Sequence, residues 1–131
     1  MGLFGFGKKK DAEPKAAKAA ERALDREGVL AKVAELRATL EDVEGDARAD
    51  LLNEVGKLLA SVEDVDGAIA AYEESLEVKR VMGKASSGLV KLYNKKRAEA
   101  ATNKDDAAIK FYLDKVNEML ALSKDQLRGR A

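Results

Sequence analysis

Residues 49–82 read ADLLNEVGKLLASVEDVDGAIAAYEESLEVKRVM. Leu51, Leu52, Val55, Leu58 and Leu59 recur at helical spacing, which predicts a helix over 47–61. Ser61-Val62-Glu63-Asp64 then breaks the period. Val65, Ala68, Ile69, Tyr72 and Leu76 resume it on a second helix, 65–79, whose other face carries Asp66, Glu73, Glu74 and Glu77. So short a connection folds the second helix back antiparallel to the first. Gly56 and Ala68 are small enough for two helix backbones to approach closely, with Leu52, Leu59 and Tyr72 filling the space on either side.

Working outward, the same period recurs on both sides. Residues 14–27 are Ala-rich, and Val29, Val33, Leu36, Leu40 and Val43 continue an apolar stripe up to a stop at Gly45. Gly28 either divides this stretch into helices 14–27 and 29–43 or is absorbed into one helix at a cost of about 1 kcal/mol. Asp46 is the expected cap of the helix that follows. After an interruption at Gly83, residues 84–101 turn Ala85, Leu89, Leu92 and Tyr93 inward. Thr102-Asn103-Lys104-Asp105 forms the next loop and cap. The last helix, 106–126, is expected to bury Ala108, Ile109, Tyr112, Val116, Met119 and Leu120. The chain therefore divides into a flexible tail over 1–13, one helical domain over 14–126 and a short tail over 127–131. The fold class is all-α: antiparallel helical hairpins stacked as a short solenoid or a bundle of about five helices.

Composition agrees. Ala, Glu, Lys, Leu and Arg supply 76 of 131 residues, which is the bias of long helices, whereas Ile, Val and Thr total 14 and argue against a sheet. The absence of His, Cys and Trp removes imidazole acid–base chemistry, thiol nucleophiles, disulfides and the usual ligands of zinc or haem. No glycine-rich phosphate loop and no calcium-loop ladder occurs; Gly2, Gly5 and Gly7 precede no strand. We therefore expect no enzyme, no cofactor and no metal. The net charge of zero hides a pattern: residues 1–34 carry +3, residues 35–78 carry −10 and residues 79–131 carry +7. Such asymmetry concerns association, either of the basic end with an acidic partner or of two copies pairing acidic middle with basic end. No run reaches the length of a membrane span, and the N-terminal apolar residues precede the lysines rather than follow them. The expected compartment is cytoplasmic.

The hairpin of 49–82 resembles the tetratricopeptide repeat. Val55-Gly56 stands in the family's Leu-Gly slot and Leu52 in the preceding large-residue slot, Leu59 replaces an aromatic, and Ala68-x-x-x-Tyr72 follows at the family's distance. A second, partial unit over 83–122 repeats the Ala-Ile-x-x-Tyr pattern at Ala108-Ile109-Lys110-Phe111-Tyr112. The separation of Ala108 from Ala68 is longer than the family's period, so the first helix or the loop of this unit must be larger. Arg80 stands where the family has proline, and Lys96 stands where the second unit would have its small residue. Residues 14–45 suggest a degenerate first pair, with Ala34 and Ala38 in the small and aromatic slots.

The resemblance implies a non-catalytic adaptor or scaffold whose concave groove, lined by the first helix of each unit, holds a protein or peptide. Asn53 and Lys57 project from the first helix of unit one, and Lys84, Lys91 and Lys95 from that of unit two. The three lysines lie on one stripe about 100° from the apolar stripe, suited to an acidic segment. The family's carboxylate clamp spreads Lys, Asn and Arg over three units; Asn53 and Lys57 are of the right types, but their order is reversed and the third unit is missing. A homo-oligomer is a further possible assembly. Nucleic acid is disfavoured by a pI near 6.4, although Lys91, Lys95, Lys96 and Arg97 surround Tyr93. A different reading rests on the tail, where Leu3, Phe4 and Phe6 precede Lys8, Lys9 and Lys10. That pairing suits docking on the protein itself or a weak peripheral contact with an anionic membrane. Gly2 is a poor myristoylation site, because Phe6 stands where Ser or Thr is required.

Overall fold

The structure is a computed structural model that describes the backbone of residues 14–127 and the side chains of residues 25–125. The described residues form five helices: α1 (Pro14–Leu40), α2 (Gly45–Ser61), α3 (Val65–Val78), α4 (Lys84–Thr102) and α5 (Asp106–Leu127). Each helix packs on its neighbour in sequence, and α2 also reaches α4 past α3. The closest pairs are α2 with α3 and α4 with α5, the two hairpins expected from the short connections.

The two hairpin turns are built alike. In the first, the Asp64 N–H donates to Leu59 O at 2.9 Å and the Glu63 N–H to Ala60 O at 3.0 Å. In the second, Asp105 donates to Ala100 O at 2.9 Å and Lys104 to Ala101 O at 3.1 Å. These paired bonds satisfy the last carbonyls of a helix and require a left-handed residue, here Glu63 (φ 63°) and Lys104 (φ 55°). Each turn then starts the next helix with an aspartate cap: Asp64 accepts from the Gly67 N–H at 3.0 Å, Asp105 from the Ala108 N–H at 3.1 Å. Asp64 and Asp105 stand one position further apart than Ala68 and Ala108 do. Tyr72 and Tyr112 are therefore not equivalent positions.

Four other readings of the sequence are decided or corrected. Residues 14–40 form one helix that passes through Gly28, so no degenerate pair exists there, and Ala34 and Ala38 are exposed. Val43 lies beyond the helix end. Asp46 is not the cap of α2; Glu44 takes that position without a side-chain bond, and Asp46 sits in the first turn, 3.3 Å from Lys79 Nζ. The chain enters α2 at Gly45 with φ +62°, a value that suits glycine. Finally, Leu120 is 51% exposed, and Leu122 takes its place in the core.

The core runs without a break from Val33 of α1 through Val55, Leu59, Tyr72 and Leu89 to Val116 and Leu122 of α5. Two polar ties hold its α1–α2–α3 corner. Arg48 donates to Leu40 O at 2.6 Å and pairs with Glu74 at 3.2 Å, while the buried Ser75 hydroxyl donates to Ala49 O at 3.2 Å. Arg48 thus satisfies a carbonyl left over at the end of α1, and the Ala49 carbonyl gives the buried Ser75 hydroxyl an acceptor.

Candidate functional site

The site is set by how Tyr72 packs. A methyl group placed on Gly56 would lie 2.9 Å from three ring carbons of Tyr72, and one placed on Gly88 would lie 2.5 Å from the ring. The tyrosine of α3 is thus clamped between a glycine of α2 and a glycine of α4. The repeat pattern places Gly56 and Tyr72 at the same helix contact, with Ala68 as the small partner; the direct stacking of the ring on Gly56 is the structure's addition. The part played by Gly88 does not follow from that pattern, since it lies outside it and on the helix after the one that carries the tyrosine.

Because α3 runs antiparallel to both neighbours, α2 and α4 are parallel, with Gly56 and Gly88 level across the ring. Above the ring the two helices enclose a cavity of about 750 Å³, within the range of ligand-binding clefts. Tyr72, Gly88, Ala60 and Leu92 supply its apolar floor. Asn53 and Lys57 line it from α2, Lys84 and Lys91 from α4. Four of the five residues nominated for partner binding therefore meet at one concave surface. Lys95, a turn further along α4, is exposed but lies outside the cavity lining.

The electrostatics are uneven. Lys57, Lys84 and Lys91 make no ion pair with any described residue, and neither do Asp50 and Glu54, which line the same cavity. Lys96, by contrast, points away toward α3 and pairs with Asp66 at 2.9 Å. Asn53 Oδ1 is buried without a hydrogen-bond partner among the described residues. Such an atom forfeits about 1–3 kcal/mol until a donor reaches it. The Tyr72 hydroxyl has its pKa raised by burial first and by the nearby Glu54 carboxylate second, so it is a neutral donor at pH 7.

Tyr93, the stacking surface of the nucleic-acid reading, is only 2% exposed and donates to Glu73 at 2.6 Å. Its ring is therefore unavailable to a base, which removes the aromatic part of that reading. No group of three or more acidic residues among the described residues is placed to hold a metal ion. No helix among them is long and apolar enough to cross a membrane. Leu3, Phe4, Phe6 and Lys8, Lys9 and Lys10 lie outside the described residues. Comparison with known proteins finds no matching family model, no matching curated protein and no matching solved structure.

Proposed function

We propose that this chain is a small non-catalytic adaptor of tetratricopeptide-like type that holds a protein or peptide segment in the groove between α2 and α4. One observation carries the reading: Asn53, Lys57, Lys84 and Lys91, distant in sequence, converge on one cavity whose buried Asn53 oxygen lacks a donor among the described residues. An occupant with a main-chain N–H can supply that donor. Carboxylates can neutralise the three lysines, and apolar side chains can cover Tyr72 and Leu92. The absence of His and Cys and the resemblance of residues 49–82 to a binding repeat support the same class.

The test is affinity capture with three baits: the intact chain, a Lys57/Lys84/Lys91→Glu variant and a Lys32/Lys110/Lys124→Glu control with its changes off the groove. Equal circular dichroism establishes that all three are folded. A partner held by the intact and control baits, and lost from the groove variant, is the expected outcome. A partner kept by all three rejects the groove.

A further inference from the structure

The groove between α2 and α4 is lined differently on its two sides. Every charged residue that α4 contributes is a lysine, Lys84 and Lys91. From α2 come the carboxylates of Asp50 and Glu54, with Asn53 between them, before Lys57. Asp50 and Glu54 are exposed and pair with no described residue. Lys57, one turn beyond Asn53, gives no hydrogen bond to its buried oxygen. The negative field reaches the cavity floor, since the Tyr72 hydroxyl is raised by burial first and by Glu54 second. A wholly acidic occupant answers the lysines of α4 and can turn a main-chain N–H to Asn53. It also sets like charge against Asp50 and Glu54, which disfavours it. A cationic side chain answers all three acceptors of α2 at once, because lysine and arginine carry several N–H donors.

We propose, resting on the groove as the binding site, that its occupant is a segment of mixed charge. The side chain of a lysine or arginine lies at Asp50, Asn53 and Glu54 of α2, and carboxylates lie at Lys84 and Lys91 of α4. The spacing follows from the helices. Gly56 and Gly88 are level across the Tyr72 ring. Asn53 stands just under one turn before that level and Lys91 just under one turn after it, a displacement of about 9 Å along the helix axes. An extended chain covers that distance in about three residues. The cation and the carboxylate at Lys91 are therefore separated by about that interval, with the residues between them over Tyr72.

The test is selection from a library of random peptides, each fused to carrier protein at both ends, so that an enriched cation is a side chain and not a free N-terminus. Sequences selected on the intact chain are expected to be enriched in Lys or Arg at the stated interval from Asp or Glu. An Asp50→Lys/Glu54→Lys bait changes two exposed positions. It is expected to keep its helical signal and melting temperature and to select acidic sequences without the cation. A mixed-charge peptide from the first selection is expected to bind that bait about tenfold more weakly. Asn53→Leu is expected to weaken the same peptide, yet to raise the melting temperature of the empty chain, because no unpaired oxygen is then buried. Three results would overturn the proposal. Purely acidic sequences selected by the intact chain, and lost on a Lys57/Lys84/Lys91→Glu bait, would reject the mixed-charge occupant while the groove remains the binding site. Equal affinity of a selected peptide for the intact and Asp50→Lys/Glu54→Lys baits would place its cation elsewhere. No enrichment by the intact chain over the Lys57/Lys84/Lys91→Glu bait would reject the occupant and the groove together.

Discussion

Tyr72 fits between α2 and α4 only because neither contact residue carries a side chain. Gly56→Ala and Gly88→Ala each gain about 1 kcal/mol of helix propensity, yet each drives a methyl to within 2.9 Å or 2.5 Å of an aromatic ring held on both faces. Overpacking of this kind costs about 1–3 kcal/mol, so we expect both variants to unfold at lower urea. The loss should shrink when Tyr72→Leu is added, because the methyl then has room. An unchanged midpoint for both single variants would remove the clamp. Tyr93 makes a second prediction. Burial first, then its bond to Glu73, pushes its pKa far above the ordinary 10.0. The unfolded chain therefore releases this proton near pH 10 while the folded chain keeps it. That stabilisation is complete below pH 10 and is lost as pH rises beyond it. Tyr93→Phe should cost about 1 kcal/mol at pH 7 and flatten the alkaline fall in stability. Parallel alkaline slopes for the two proteins would show that the hydroxyl is not the titrating group.

At the scale of the element, α1 is the informative helix. Sequence leaves open whether Gly28 divides it, because a mid-helix glycine costs about 1 kcal/mol and the stripe from Val29 to Leu40 offers compensation of similar size. The helix runs on because Val33 and Leu40 are buried and Val29 and Leu36 pack against the core. Gly28 itself is exposed, and nothing lies within 4 Å of a methyl added there. Gly28→Ala should therefore stabilise the protein by about 0.5–1 kcal/mol, read as a higher urea midpoint. A destabilised variant would mean that Gly28 serves a close contact or a kink. The same substitution thus has opposite expected signs at Gly28 and at Gly56, and only the neighbourhood differs.

For the whole molecule, connectivity decides the behaviour. Apart from the reach of α2 to α4, contacts join helices that are adjacent in sequence, yet one apolar cluster runs from α1 to α5. An array this short has no unit that can bury its own face, so we expect one cooperative transition. Far-ultraviolet circular dichroism and tyrosine fluorescence should then give coincident urea curves. Separate midpoints would mean that the α4–α5 hairpin unfolds independently. Local connectivity also predicts folding in microseconds to milliseconds, as for other helical proteins rich in near-neighbour contacts.

Period and break were enough to determine from sequence alone that the chain is all-helical and that its hairpins lie near 47–79 and 84–126, within two residues of the observed bounds, with Gly56, Ala68 and Tyr72 at the contact of the first. These depend on interactions within a helix or across one short turn, where spacing fixes direction. Asn53, Lys57, Lys84 and Lys91 were also legible as candidates, because helical spacing puts them off the apolar stripe. Tertiary structure alone decided the rest. Gly88 became the second jaw of the Tyr72 clamp, Lys95 fell outside the cavity, and Tyr93 turned inward to Glu73. It also decided that Leu120 is exposed and Leu122 buried: the period marks an apolar face, but α5 buries an adjacent face against α4. The physical reason is the same in each case. A repeating pattern specifies which residues share a face, whereas rotation of one helix about its axis against another specifies which face is covered. That rotation is set by side chains distant in sequence meeting in space.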